Sequence, residues 1–137
     1  MKLMKPIVGI VLLAISIGCN SGPTLDALAY QTRTRLLQLS PGMTKREVIT
    51  IMGSEAWTYQ DRGTISKPYK SSMYDRGADR IEIFYYFTEL QSRYSTSVWR
   101  SETTPLVFIN GKLEAWGWES WTEKAKRYDI NINSKVN

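Results

Sequence analysis

Apolar residues in the first part of the domain recur every three or four positions, which is the spacing of a helix with one buried side. Residues 24–39 form one such stretch, and Ser40-Pro41-Gly42 ends it. The same spacing continues from Lys45 to Met52. The pattern therefore predicts two helices in succession, the second of them short.

The second predicted helix carries recognisable signals at both ends. Thr44 and Glu47 have the spacing of a capping box, in which each side chain accepts a hydrogen bond from the other residue's backbone N–H. Met43 precedes the cap and can pack on Val48 as a hydrophobic staple. Gly53 follows the last helical residue, where glycine readily adopts the positive φ of a C-terminal cap. These signals predict a helix with well-defined ends.

Beyond residue 55 the apolar pattern changes to a period of two, which is typical of strands. Residues 56–60 and 80–88 predict two strands, and the polar segment 61–79 between them predicts a long loop. Asn110-Gly111 lies between two further β-prone stretches. It predicts a hairpin with a type I′ turn, because that turn needs positive φ at both central residues.

The end of the chain predicts one more helix. Ser120 and Glu123 repeat the capping-box spacing, so a short helix should run to about residue 128, with a polar tail over 129–137. Together the elements predict an α+β domain over residues 25–128. Two N-terminal helices pack on one face of a three- to four-stranded antiparallel sheet, and the short C-terminal helix follows.

The predicted hairpin register assigns side chains to the two faces of the sheet. A two-residue turn pairs Phe108 with Leu113, Val107 with Glu114 and Leu106 with Ala115. One face is then wholly apolar and should pack on the helices, and Ile81, Ile83, Tyr85 and Phe87 should face the core. The opposite face should gather four large aromatic side chains, those of Phe84, Tyr86, Trp116 and Trp118.

These four aromatic residues are the candidate partner-binding residues. Trp and Tyr are the types most enriched among binding hot spots, and a cluster of them is unusual on a small monomer. Two other arrangements would bury the same face. The C-terminal segment with Trp121 and Tyr128 could cover it as core, or two copies of the chain could cover it in a homodimer.

The N-terminus has the features of an export signal. Lys2 and Lys5 precede an apolar run over residues 7–18, which is too short to span a membrane but suits a signal peptide. The residues before Cys19 resemble a lipobox, which predicts a signal peptide over 1–18 and a linker over 19–24, lipidated at Cys19 with fatty acids such as palmitate. The alternative for Cys19 is a free or dimer-forming thiol. Asn20 directly follows the cysteine where Asp could stand, and in this the chain resembles lipoproteins sorted to the outer membrane.

Composition excludes several classes of site. The 137 residues include 18 Lys and Arg, 13 Asp and Glu, one Cys and no His. Zinc sites built on His or several Cys, Ser/His or Cys/His catalysis and an internal disulfide all lack their residues. Pairs such as Glu114 with Glu119 are better explained as solubilising surface groups than as acid/base catalysts. We expect no catalytic residues, metal or cofactor, and no nucleic-acid partner, because the Lys and Arg residues form no long block.

One segment resembles a known family. Leu39–Val48, closing at Met52 and Gly53, is similar to the start of the second helix in SmpA/OmlA (BamE-like) outer-membrane lipoproteins, and Phe108–Leu113 is similar to their closing hairpin. The motif comprises Gly42, Met43, Thr44, Glu47, Val48, Met52 and Gly53. For a divergent member, the resemblance implies two helices against a three-stranded antiparallel meander and a domain anchored by lipid at the outer membrane, facing the periplasm.

These observations predict a non-enzymatic lipoprotein that binds another envelope protein as a scaffold or accessory. The resemblance implies a role in outer-membrane protein assembly or envelope integrity. The alternative is an inhibitor- or ligand-type module whose aromatic sheet face docks a peptide, a glycan or an enzyme.

Overall fold

The computed structural model describes residues 22–132. Its elements are α1 (Leu25–Leu36), α2 (Lys45–Met52), β1 (Ala56–Tyr59), β2 (Gly63–Ser66), β3 (Lys70–Arg76), β4 (Asp79–Phe87), β5 (Thr103–Ile109), β6 (Lys112–Trp116) and α3 (Trp118–Arg127). Strands β3, β4, β5 and β6 lie in that order in one antiparallel sheet, while β1 and β2 form a separate hairpin. The predicted α+β class, with two helices first and a short helix last, is confirmed. The predicted signal peptide and Cys19 lie outside the described residues.

Helix α2 has the predicted bounds, and its caps form as expected. Thr44 Oγ1 accepts a hydrogen bond from the Glu47 N–H (3.2 Å), and Glu47 Oε2 accepts one from the Thr44 N–H (2.7 Å). Gly53 closes the helix with φ of 86°. Val48 and Met52 are fully buried on the side that faces the sheet. Local capping and one apolar stripe therefore account for this helix.

The hairpin at Asn110-Gly111 is also confirmed, with φ of 51° and 79° at its two turn residues. Its register was predicted wrongly beyond the first two pairs. A bulge between Val107 and Phe108 pairs Val107 with Ala115 instead of Glu114, and Leu106 with Trp116 instead of Ala115. Because an extra residue in one strand exchanges the faces of the residues beyond it, Trp116 moves to the face of Leu106.

Helices cover both faces of the four-stranded sheet. Helix α2 packs on the face that carries Tyr86, Leu106, Phe108 and Leu113. Helix α3 packs on the opposite face, where Trp121 and Ala125 contact Ile81, Ile83 and Val107. Helix α1 lies at the Phe87 end of β4, where Leu28 and Ala29 join Ile65 of the β1–β2 hairpin. The C-terminal segment is therefore part of the core.

Three further predictions near these elements differ from the structure. The segment 61–79 is not a long loop, since it contains β2 and β3. Strand β3 escaped detection because it lies at the edge of the sheet and its residues are mostly polar. Helix α3 begins at Trp118 and not after Ser120, because Gly117 turns the chain with φ of 98° and its carbonyl accepts the Trp121 N–H (3.0 Å). Ile130, within the predicted polar tail, is buried against α3.

Candidate partner-binding surface

The structure separates one of the four aromatic residues that the sequence placed on one face from the other three. Tyr86 is fully buried beneath α2, where burial raises the pKa of its hydroxyl, and Phe84 and Trp116 are partly buried against the same cluster. Trp118 lies on the other side of the sheet, with its ring 5.7 Å from that of Tyr85. The shared-face prediction is therefore wrong for Trp118 alone, because Phe84, Tyr86 and Trp116 do lie on one face of the sheet. The bulge in β5–β6 moves Trp116 away from Trp118, and Gly117 turns the chain between them.

A different set of residues meets at the surface around Trp118. Trp99, Arg100, Ser101 and Trp118 line one open depression, and we call them the Trp118 surface. The Arg100 guanidinium carbon stands 4.0 Å from the centroid of the Trp118 ring, a cation–π contact. The Trp118 Nε1–H donates to the carbonyl of Thr103 (2.7 Å), which fixes the ring. Trp99 keeps 56% of its area exposed beside them.

The space beneath the Trp118 surface is almost completely filled by protein atoms. A small hollow between Tyr69, Tyr85 and Trp118 has room for about one water molecule. Ligand pockets for small molecules are much larger and enclose most of the ligand. The shallow aromatic and cationic surface is therefore better suited to contact with another macromolecule than to enclosure of a metabolite.

A buried ion pair holds the segment that carries Trp99 and Arg100. Arg62, in the turn between β1 and β2, donates from Nη1 and Nη2 to the two carboxylate oxygens of Glu102, at 2.8 and 3.1 Å. Both side chains are fully buried. Glu102 ends a 3₁₀ turn over Arg100–Glu102 that leads into β5. The two-point geometry is the strongest form of an arginine–carboxylate contact.

The same carboxylate also orders the backbone of the β4–β5 connection, residues 88–102. Its oxygens accept the N–H groups of Gln91 and Trp99, each at 2.9 Å. Burial by itself would raise the pKa of the Glu102 carboxyl. The hydrogen bonds from Arg62, Trp99 and Gln91 outweigh that effect and hold the pKa below its usual value. Glu102 is therefore a charged carboxylate at neutral pH, although it is buried.

Arg62 and Glu102 together hold the β4–β5 connection, and we call this ion pair the clamp. The Arg62 guanidinium donates to the carbonyls of Ser92 and Ser97, so both members of the ion pair bind the backbone of the connection. Trp99 and Arg100 stand within three residues of Glu102 and are therefore fixed before any partner arrives. A preordered surface loses less conformational entropy on binding.

Sequence reasoning missed this clamp and most of the Trp118 surface. Arg62 and Glu102 are 40 positions apart, and no local pattern links them. Trp99-Arg100 did carry a signal, because tryptophan and arginine are both enriched among binding hot spots. Among the predicted partner-binding residues, only Trp118 lies on this surface.

The described part of the chain offers no other obvious chemistry. Between residues 22 and 132, the acidic side chains nowhere form a group of three that could hold a metal ion. No helix in that range is both long enough and apolar enough to cross a membrane.

Comparison with known proteins yields a family but no function. A family model described as a protein of unknown function (DUF3192) matches residues 23–123, which is more than half of the chain. The matched segment begins just before α1 and ends within α3, so it contains the sheet, the clamp and the Trp118 surface. Neither the curated proteins nor the solved structures provide a match.

Proposed function

The chain belongs to the DUF3192 family, whose function is unknown, and we propose that it is a non-enzymatic lipoprotein that binds another protein of the cell envelope. Lipid on Cys19 would hold the domain at the outer membrane, facing the periplasm. The resemblance of the Gly42–Gly53 segment to SmpA/OmlA lipoproteins supports an accessory role in outer-membrane protein assembly or envelope integrity. The match to the DUF3192 family neither links the chain to SmpA/OmlA lipoproteins nor identifies a partner.

The observation that carries this proposal is the Trp118 surface. It combines an exposed tryptophan, an arginine stacked on a second tryptophan and a rigid support, which are the features of interface hot spots. Tyr86 is fully buried beneath α2 and would therefore act through stability and not through contact with a partner.

The anchor is tested by Cys19→Ser. This variant should lose labelling by a fatty-acid probe, because it lacks the thiol. It should also move from the membrane fraction to soluble or unprocessed forms, because several acyl chains are needed for a lasting hold on a bilayer. Ser21→Ala, two positions along, is the matched control and should be labelled like the wild type. Unchanged labelling of Cys19→Ser would contradict the lipid anchor.

Docking is tested by Trp99→Ala combined with Arg100→Ala. Captured from detergent-solubilised envelopes, this variant should lose the protein that co-purifies with the wild-type chain. Its free energy of unfolding should change by no more than about 1 kcal/mol, because the variant removes only exposed side chains and one surface cation–π contact.

Met73→Ala is the matched control for docking, because Met73 on β3 is 58% exposed, almost the same as Trp99. It should keep the partner. The proposal fails if both variants retain the same co-purifying proteins. Loss of a soluble periplasmic or secreted target, in place of an outer-membrane complex, would favour the inhibitor-type alternative.

A further inference from the structure

One side of α1 exposes large side chains that the core does not use. Tyr30 is 65% exposed, and Leu37, the C-terminal cap residue, is 85% exposed. They stand seven residues apart, so they lie on the same side of the helix, two turns from each other. Asp26, one turn before Tyr30, shares that side.

The β4–β5 connection extends this side of the molecule. Arg93 Nη2 donates to Asp26 Oδ2 (2.8 Å), which brings the neighbouring Tyr94 close to the first turn of α1. Tyr94 is 96% exposed. At the base of the connection, Arg33 Nη1 donates to the carbonyl of Thr88 (2.7 Å). We call Tyr30, Leu37 and Tyr94 the tyrosine side.

The N-terminal end of the domain is fixed beside it. Gly22 lies against the ring of Trp57, so closely that a Cβ there would stand 2.4 Å from a ring carbon. The carbonyl of Pro23 accepts a hydrogen bond from the Tyr59 hydroxyl (2.8 Å), and Thr24 caps α1. The chain is therefore docked on the β1–β2 hairpin from Gly22 onwards.

The short distance from Gly22 to the lipid limits where the membrane can be. Cys19 precedes Gly22 by three residues, which span at most about 10 Å when fully extended. A lipid on Cys19 therefore places the bilayer surface near the first turn of α1. Only part of the predicted linker over 19–24 can therefore act as a linker, because its last three residues pack on the domain or cap α1.

We propose that the tyrosine side rests in the headgroup layer of the membrane that holds Cys19. This inference depends on the lipid anchor of the proposed function and adds a fixed orientation to it. Tyrosine is enriched at membrane interfaces, because its ring can enter the apolar boundary while its hydroxyl stays hydrated. The tether makes the contact intramolecular, so a weak affinity is sufficient.

Charge contributes little to this contact. Arg93 is paired with Asp26, and Arg33 donates to the carbonyl of Thr88, next to the exposed Glu89. A surface with balanced charge gains little from anionic lipid. The contact should therefore depend on Tyr30, Leu37 and Tyr94, and it should be similar in neutral and anionic bilayers.

A nitroxide spin label can report this orientation in the lipidated full chain. Acylation of Cys19, the only cysteine, leaves an introduced Cys as the single free thiol. Thr96→Cys places the label on the exposed tip of the β4–β5 connection while Tyr94 remains. Ala78→Cys is the control, because it lies in the β3–β4 turn, about 27 Å along β4 from the Phe87 end that α1 contacts.

The protein is reconstituted in vesicles of phosphatidylcholine with or without phosphatidylglycerol. Collisions of the label with oxygen and with a water-soluble nickel complex are then measured. The Thr96→Cys label should lose most of its access to nickel and gain access to oxygen, while the Ala78→Cys label stays open to nickel. Adding Tyr30→Ser and Tyr94→Ser should restore nickel access at Thr96→Cys.

Three results would overturn the inference, and they differ from one another. A chain that floats with vesicles but has equal nickel access at both positions keeps its anchor and lacks the orientation. A Thr96→Cys label shielded from both reagents is covered by protein, such as a second copy of the chain, and not by lipid. A chain that does not float with vesicles contradicts the lipid anchor itself.

Discussion

Arg62→Met should lower the free energy of unfolding by about 3–5 kcal/mol, the largest loss that we expect from a polar substitution in this domain. The variant leaves the fully buried Glu102 carboxylate without its counter-charge. It also releases the carbonyls of Ser92 and Ser97. Denaturant unfolding measures the loss directly, and hydrogen exchange should rise along the β4–β5 connection.

An exposed ion pair on the same connection gives the control. Arg93→Met breaks the contact with Asp26, where both side chains are more than half exposed, so the cost should be only about 0–1 kcal/mol. The double variant Arg62→Met with Glu102→Met should recover part of the loss, because it removes both buried charges. If Arg62→Met costs no more than Arg93→Met, the clamp has no structural role.

The same pair gives a pH dependence with a definite sign. The folded-state pKa of Glu102 lies below its usual value, so the carboxylate contributes stability at pH values above the unfolded pKa, near about 4.3. That contribution should be lost as the pH falls through the lower, folded-state pKa. In Glu102→Gln this component of acid destabilisation should be absent.

Trp121→Ala should cost about 3–5 kcal/mol, because a large aromatic side chain is removed from a site where it is fully buried. Trp121 joins α3 to the sheet through Ile81 and Ile83, and its ring is 6.0 Å from that of Tyr74. Thermal and urea unfolding both measure this loss. The control is Trp99→Ala, which removes an exposed tryptophan and should change stability by no more than about 0.5 kcal/mol.

This comparison decides whether the C-terminal helix is core. A mild effect of Trp121→Ala would mean that α3 does not seal the second face of the sheet. Because α3 begins with Trp118, its loosening would also displace part of the Trp118 surface. Partner assays should therefore use substitutions of Trp99 and Arg100, because the clamp holds the backbone of these residues and does not involve Trp121.

The β4–β5 connection links the two proposed contacts. Tyr94 belongs to the tyrosine side, whereas Trp99 and Arg100 belong to the Trp118 surface, and Glu102 anchors the residues between them. Under both proposals, the membrane contact would set the height and direction at which a partner meets the Trp118 surface. Disruption of the clamp by Arg62→Met should then weaken partner capture even when the lipid anchor is intact.

Local signals in the sequence by themselves determined several elements of this protein. The caps of α2 connect residues three or four positions apart, and the Asn110-Gly111 turn needs only two residues with positive φ. The β-branched and aromatic residues of β4 predicted that strand. Each of these features depends on neighbours in the chain, so a reading of the sequence could find it.

Only the tertiary structure decided which surfaces remain open. The bulge at Val107 moved Trp116 to the face that α2 covers, and polar β3 was recognisable only through its pairing with β4. The Arg62–Glu102 clamp joins residues 40 positions apart, and burial gives such a pair its rigidity. Faces, bulges and buried ion pairs depend on which distant segments pack together, and the order of residues along the chain does not reveal that packing.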